Sequence, residues 1–222
     1  MKFILRLFYT LMFVFSFIEL AYSKTTKIII FGDSLIAGYG LINEDNFVSQ
    51  LNQKTLENKI NNVTFFNSGV SGETSTGLLN RYKWVLEDKY DGVIILIGAN
   101  DALRGIDPSY TSQNIEKILS YLKEKQIPTM LIGMKAPNNL GERYVNEFNE
   151  IYHKLSKKYE TAFYPFFLKD VVLKPKLNQK DMIHPNKKGV SIIVRNFFPY
   201  FLKFYENLKW SSFKNQQPYY SK

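Results

Sequence analysis

Residues 91 to 98, "DGVIILIG", form an unbroken apolar run too short for a core helix and bounded by an aspartate and a glycine. A run with no polar face is a strand covered on both sides. Such strands belong to parallel sheets with helices packed on each face. The rest of the chain alternates in the same sense. Lys27 to Phe31 is a short apolar run before a turn, and Asn46 to Asn58 carries Phe47, Leu51 and Leu56 at helical spacing. "NVTFFN" (62 to 67) reads as a strand, and "STGLLNRYKWVLED" from Ser75 as a helix with a serine cap. A helix is predicted around Gln113 to Lys125, a strand at "PTMLIG" from Pro128, and a helix from about Glu142 to Tyr159. A short strand at "TAFYP" from Thr161 and a last helix from about Lys187 to Leu208 complete the pattern. The predicted fold class is α/β: a three-layer α/β/α sandwich around a central parallel sheet.

Residues 1 to 23 place Lys2 and Arg6 ahead of an apolar stretch from about Leu7 to Ile18, then Ala21-Tyr22-Ser23 with small residues first and third. This is the pattern of an export signal cut after Ser23. The alternative, a retained membrane anchor, has against it the shortness of the apolar run and the interruption at Glu19. Residues 24 to 222 are then expected to form one domain, exported to the periplasm and acting as a monomer. The chain has no cysteine, so its core rather than disulfides must hold it together, and thiolate metal sites and a cysteine nucleophile are excluded. Its formal charge is +9. The basic residues are scattered rather than gathered in a stripe, which argues against nucleic acid as a partner. Peripheral contact with an anionic membrane is the use of the charge that fits an exported chain. The densest basic run, "KPKLNQK" from Lys174, reads as a solvated loop.

In a parallel sheet of this kind ligands bind beyond the carboxyl ends of the strands. Four loops should meet there: "GDSLIAGYG" (32 to 40), "NSGVSGETS" (67 to 75), "GANDALRG" (98 to 105) and "KDMIHPNKKG" (180 to 189). Together they hold the parts acyl transfer requires, namely Ser34 as nucleophile, His184 as base and Asp181 to orient its imidazole. The amides of Ser34 and Gly72 with the side chain of Asn100 can face a developing oxyanion. Taken singly, each residue has a plainer reading. Ser34 fits a turn serine, Gly72 a turn glycine, Asn100 and Asp101 a helix cap, Asp181 a loop brace and His184 a surface histidine. The G-x-S-x-G elbow of α/β-hydrolases is missing, because Ile36 stands at the second glycine.

Gly32-Asp33-Ser34-Leu35, Gly72 in "SGETS", Gly98-Ala99-Asn100-Asp101 and Asp181-Met182-Ile183-His184-Pro185 resemble, in order and spacing, the four blocks of the GDSL, or SGNH, hydrolase family. "GANDALRG", "KAPNNLGERY" and "YPFFLKDVVLKP" are similar to its branch of bacterial thioesterases, lysophospholipases and arylesterases. The resemblance implies a flavodoxin-like fold and an acyl-enzyme on Ser34. It also implies Asp181 and His184 as its partners, an oxyanion hole of Ser34, Gly72 and Asn100, and small-molecule or lipid acyl esters as substrates. No cofactor and no metal are implied. Asp33 is assigned to bracing the turn.

Two readings from other classes fit less well. A dinucleotide site needs a G-x-G-x-x-G turn, which Gly38-Tyr39-Gly40 does not supply. A non-catalytic envelope-binding module would be marked by loss of a catalytic residue, and none is lost. Within enzymes, a carbohydrate or peptidoglycan O-acetylesterase shares the same residues. His153 reads as a packed or solvated helix residue, and Trp210, Tyr219 and Tyr220 as a terminal segment able to lie against a membrane surface.

Overall fold

The computed structural model describes residues 25–216, with side chains as far as residue 210. The predicted export signal, Tyr219 and Tyr220 lie outside the described residues. Five strands, β1 (Thr26–Gly32), β2 (Val63–Gly69), β3 (Gly92–Leu96), β4 (Thr129–Ile132) and β5 (Ala162–Tyr164), form one sheet in the order β2-β1-β3-β4-β5. Every pairing is parallel, and this is the flavodoxin-like strand order with its switch point between β1 and β3. The sequence pattern follows position in the sheet. The inner strands β3 and β4 are buried throughout, as their unbroken apolar runs require, whereas the edge strand β2 is exposed or half-buried beyond Val63.

Among the described residues there are seven α-helices, α1 (Ser34–Ala37), α2 (Phe47–Glu57), α3 (Ser75–Val85), α4 (Ala99–Leu103), α5 (Pro108–Glu124), α6 (Glu142–Tyr159) and α7 (Lys187–Gln216), of which the first six lie between strands and α7 follows β5. Helix α2 packs with α7 on one face of the sheet, and α3 with α5 and α5 with α6 on the other. The core between these layers is built from Ile28, Ile30, Ile94 and Leu131 of the sheet and from aromatic residues of the helices, among them Phe148, Tyr152, Phe197 and Phe201. Burying side chains of this size supplies about 1.5–3 kcal/mol each, which is how the chain dispenses with disulfides. Among the described residues no helix is long and apolar enough to cross a membrane.

Several boundaries differ from the sequence expectation. Helix α5 begins five residues before Gln113, where Asp107 caps it by accepting from Ser109 N and Pro108 occupies its first turn. Thr74, not Ser75, caps α3; the hydroxyl of Ser75 is turned instead onto Asp101. Helices α1 and α4, four and five residues long, lie in segments predicted as loops. The last helix runs past Leu208 to Gln216 and accommodates Pro199 in its interior.

Candidate active site

The turn that carries Ser34 is built by Asp33. Its carboxylate Oδ1 accepts from Leu35 N at 3.0 Å, capping α1 and placing Ser34 as the first residue of that helix, directly beyond β1. On the far side of the sheet's carboxyl edge, the loop before α7 turns through a left-handed conformation at Met182 (φ 61). That turn lets one carboxylate serve three donors. Asp181 Oδ1 accepts from the amides of Ile183 and His184 at 2.9 and 3.0 Å, and Oδ2 lies 2.7 Å from His184 Nδ1. The imidazole continues the chain, with Nε2 2.9 Å from Ser34 Oγ. With its Nδ1 proton directed at Asp181, the neutral ring presents an unprotonated Nε2 to the serine hydroxyl. Partial burial pushes the Asp181 carboxyl upward, but the His184 amide, the His184 ring and the Ile183 amide outweigh it and hold the group down at about 2. It is therefore a carboxylate under all ordinary conditions.

The other two loops join the same edge. Asn100 lies on α4, whose N-terminus is set by Gly98 at φ 110; a Cβ there would fall 2.3 Å from Tyr152 Oη, the hydroxyl that donates to Ile97 O. The side chain Nδ2 of Asn100 donates to Asp33 Oδ2 at 3.4 Å, tying α4 to the Ser34 turn. Gly72 adopts φ 79, and its carbonyl accepts from Arg104 Nη2 at 2.7 Å. Ser34, Gly72, Asn100, Asp181 and His184 are thus all on loops or helix starts at one edge of the sheet.

Three supports escaped the sequence reading. Asp101 is fully buried and does not cap its own helix; it accepts from the amide and hydroxyl of Ser75 and from Thr111 Oγ1, joining α4 to the start of α3. Arg81 grips both oxygens of Glu73 at 2.6 and 2.7 Å and donates to Ser68 Oγ and O, fixing the loop that carries Gly72. Tyr39 lies against His184, with ring centroids 4.7 Å apart. These contacts join residues distant in sequence and have no local pattern. Asp33 braces the turn as expected, through its bond from Leu35 N. Complete burial, with a smaller push from Glu73, outweighs the Leu35 amide, the charge of His184 and Asn100, and leaves its carboxyl raised to about 6. No cluster of three potential metal ligands occurs among the described residues. His153 packs edge-on against Phe163, away from these loops.

A parallel α/β sheet with a serine, a histidine and a carboxylate in series across its carboxyl edge has the architecture of a serine hydrolase. The chain belongs to the GDSL-like lipase/acylhydrolase family, whose model matches residues 30–192, and it is an ester-bond hydrolase. It is 34% identical over 177 residues to an arylesterase of Vibrio mimicus, a match spanning 79% of this chain and 88% of the relative. It is 37% identical over 167 residues to thioesterase 1/protease 1/lysophospholipase L1 of Escherichia coli, spanning 75% and 78% respectively. Among solved structures, AlinE4, an SGNH-hydrolase family esterase, superposes with a TM-score of 0.69 at 40% identity, covering 82% of this chain and 98% of that one.

Proposed function

We propose that the protein hydrolyses acyl esters and thioesters through an acyl-enzyme on Ser34, with His184 as general base and acid and Asp181 as its orienting carboxylate. The observation that carries this reading is the hydrogen-bonded series Asp181 Oδ2, His184 Nδ1, His184 Nε2 and Ser34 Oγ. His184 Nε2 takes the Ser34 proton as Oγ attacks the acyl carbon. The carbonyl oxygen becomes an oxyanion held by the amides of Ser34 and Gly72 and the side chain of Asn100. Collapse expels the alcohol or thiol, which takes the proton from His184, and water repeats the sequence on the acyl-enzyme. The names of the relatives support thioesters, aryl esters and lysophospholipids as substrate classes.

In this reading residues 24 to 222 act as one domain and a monomer, exported after removal of residues 1 to 23. The basic surface then meets anionic lipid. A carbohydrate or peptidoglycan O-acetylesterase is the competing reading. A phosphonate ester inhibitor should add its mass to a Ser34-containing peptide of the wild-type enzyme and to nothing in Ser34→Ala, which should fold normally and hydrolyse nothing. Labelling elsewhere, or more than a few per cent residual activity, refutes the nucleophile. A chain-length series of p-nitrophenyl esters decides the substrate class. Octanoate accepted as well as acetate supports the lipid reading, and strong preference for acetate supports the O-acetylesterase.

A further inference from the structure

The ring of Tyr39 is unusual for a residue this close to the reacting groups, because it is held in place yet 54% exposed. Gly38 and Gly40 on either side take left-handed conformations (φ 82 and 72), so the turn throws the tyrosine outward. Its backbone is fastened at both ends: Tyr39 N donates to Ser34 O at 3.1 Å, and Tyr39 O accepts from Gln179 Nε2 at 2.7 Å. Gln179 in turn donates its amide to His184 O at 2.7 Å and its side chain to Pro185 O at 3.1 Å. One glutamine thereby locks the tyrosine turn to the histidine loop. The outcome is a phenol ring inclined 40° to the imidazole at 4.7 Å, lining the same slot as Ser34 and His184.

Chemistry fixes what passes this spot. When the tetrahedral intermediate collapses, His184 Nε2 hands its proton to the leaving oxygen or sulfur, so the substituent on that atom must lie beside the imidazole. The oxyanion is directed elsewhere, toward the amides of Ser34 and Gly72 and the side chain of Asn100. We propose that Tyr39 forms the leaving-group subsite, and that its exposed ring receives planar aromatic leaving groups by stacking. This rests on the acyl-transfer reading above and adds the residue that selects the alcohol half of the ester. A ring that merely buttressed His184 would affect every ester alike, since the same imidazole serves them all. A ring that touches the leaving group must discriminate among them.

The test compares kcat/KM, which reports the acylation half in which the leaving group departs, for phenyl acetate and for 2,2,2-trifluoroethyl acetate, an activated ester without a ring. Stacking supplies a factor of about two to ten. The ratio of the two constants should therefore fall about two- to tenfold in Tyr39→Ala and in Tyr39→Leu, and return to the wild-type ratio in Tyr39→Phe. An unchanged ratio in both aliphatic variants, with the two constants falling together, overturns the subsite and leaves the ring as a buttress. A wild-type enzyme that hydrolysed neither ester would instead refute the acyl-transfer reading itself.

Discussion

Asp33 is a buried carboxyl beside Ser34 whose pKa is raised from 3.8 to about 6, so its contribution to stability runs opposite to that of a paired surface aspartate. Between these two values the native state holds a proton that the unfolded chain has released, and stability must fall as pH rises through that window. Below about pH 4 both states are protonated and above about pH 6 both are ionised, so the change is confined to the interval. A shift of this size, at about 1.4 kcal/mol per unit, is worth about 3 kcal/mol in all, of which about 2 kcal/mol falls between pH 4.5 and 7.5. Asp33→Asn removes the titration while keeping an oxygen for Leu35 N. The assay is urea unfolding of wild type and variant at intervals from pH 4.5 to 7.5. The variant should gain on the wild type as pH rises, by about 2 kcal/mol across the range, with a plateau above pH 7. A difference that stays flat within about 0.5 kcal/mol, or that moves in favour of the wild type, refutes the buried, weakly acidic carboxyl.

Other perturbations reach different parts of the site. Asn100→Ala should lower kcat about a hundred- to a thousand-fold with little change in KM; steady-state kinetics showing the reverse would make Asn100 a substrate-binding residue. Asp181→Asn should lower kcat by orders of magnitude without a matching loss of thermal stability, and a near wild-type rate would remove Asp181 from the relay. Gly98→Ala places a methyl 2.3 Å from Tyr152 Oη at a φ of 110, which combines left-handed strain with overpacking and should cost at least about 2 kcal/mol in thermal unfolding. A loss below about 1 kcal/mol would show that Tyr152 can move aside. Chelators should leave ester hydrolysis unchanged, and inhibition by them would call for a metal.

The parts of the molecule readable from sequence are those written in one stretch of chain. Strands β3 and β4 announce themselves by continuous apolar runs, because both their faces are covered. Helix α6 is readable from end to end because a single amphipathic period spans it. Ser34, Gly72, Asn100, Asp181 and His184 are legible because each sits in a short block whose order and spacing match the family's. Helices α1 and α4 are too short to complete two turns, so no period marks them. The start of α5 carries a local mark, Asp107 before Pro108, but that cap precedes the first periodic apolar residues, so periodicity alone places the helix later. Ser75 looks like a cap, and only the fold brings Asp101 within reach of its hydroxyl. Tyr39 in "GYG" reads as a turn residue until His184, 145 positions later, is laid against it.

The hydrogen bond between Ser34 Oγ and His184 Nε2 closes a span of 150 residues. The serine belongs to the first strand and turn of the described fold, and the histidine to the last loop, immediately ahead of the helix that packs on α2. A chain whose sheet has formed but whose final helix is still detached carries a serine with no base. Under the proposed mechanism, hydrolytic activity then reports that the His184 loop has closed onto Ser34. In a refolding experiment it should appear together with the burial of Phe197 and Phe201, aromatic residues that α7 adds to the core.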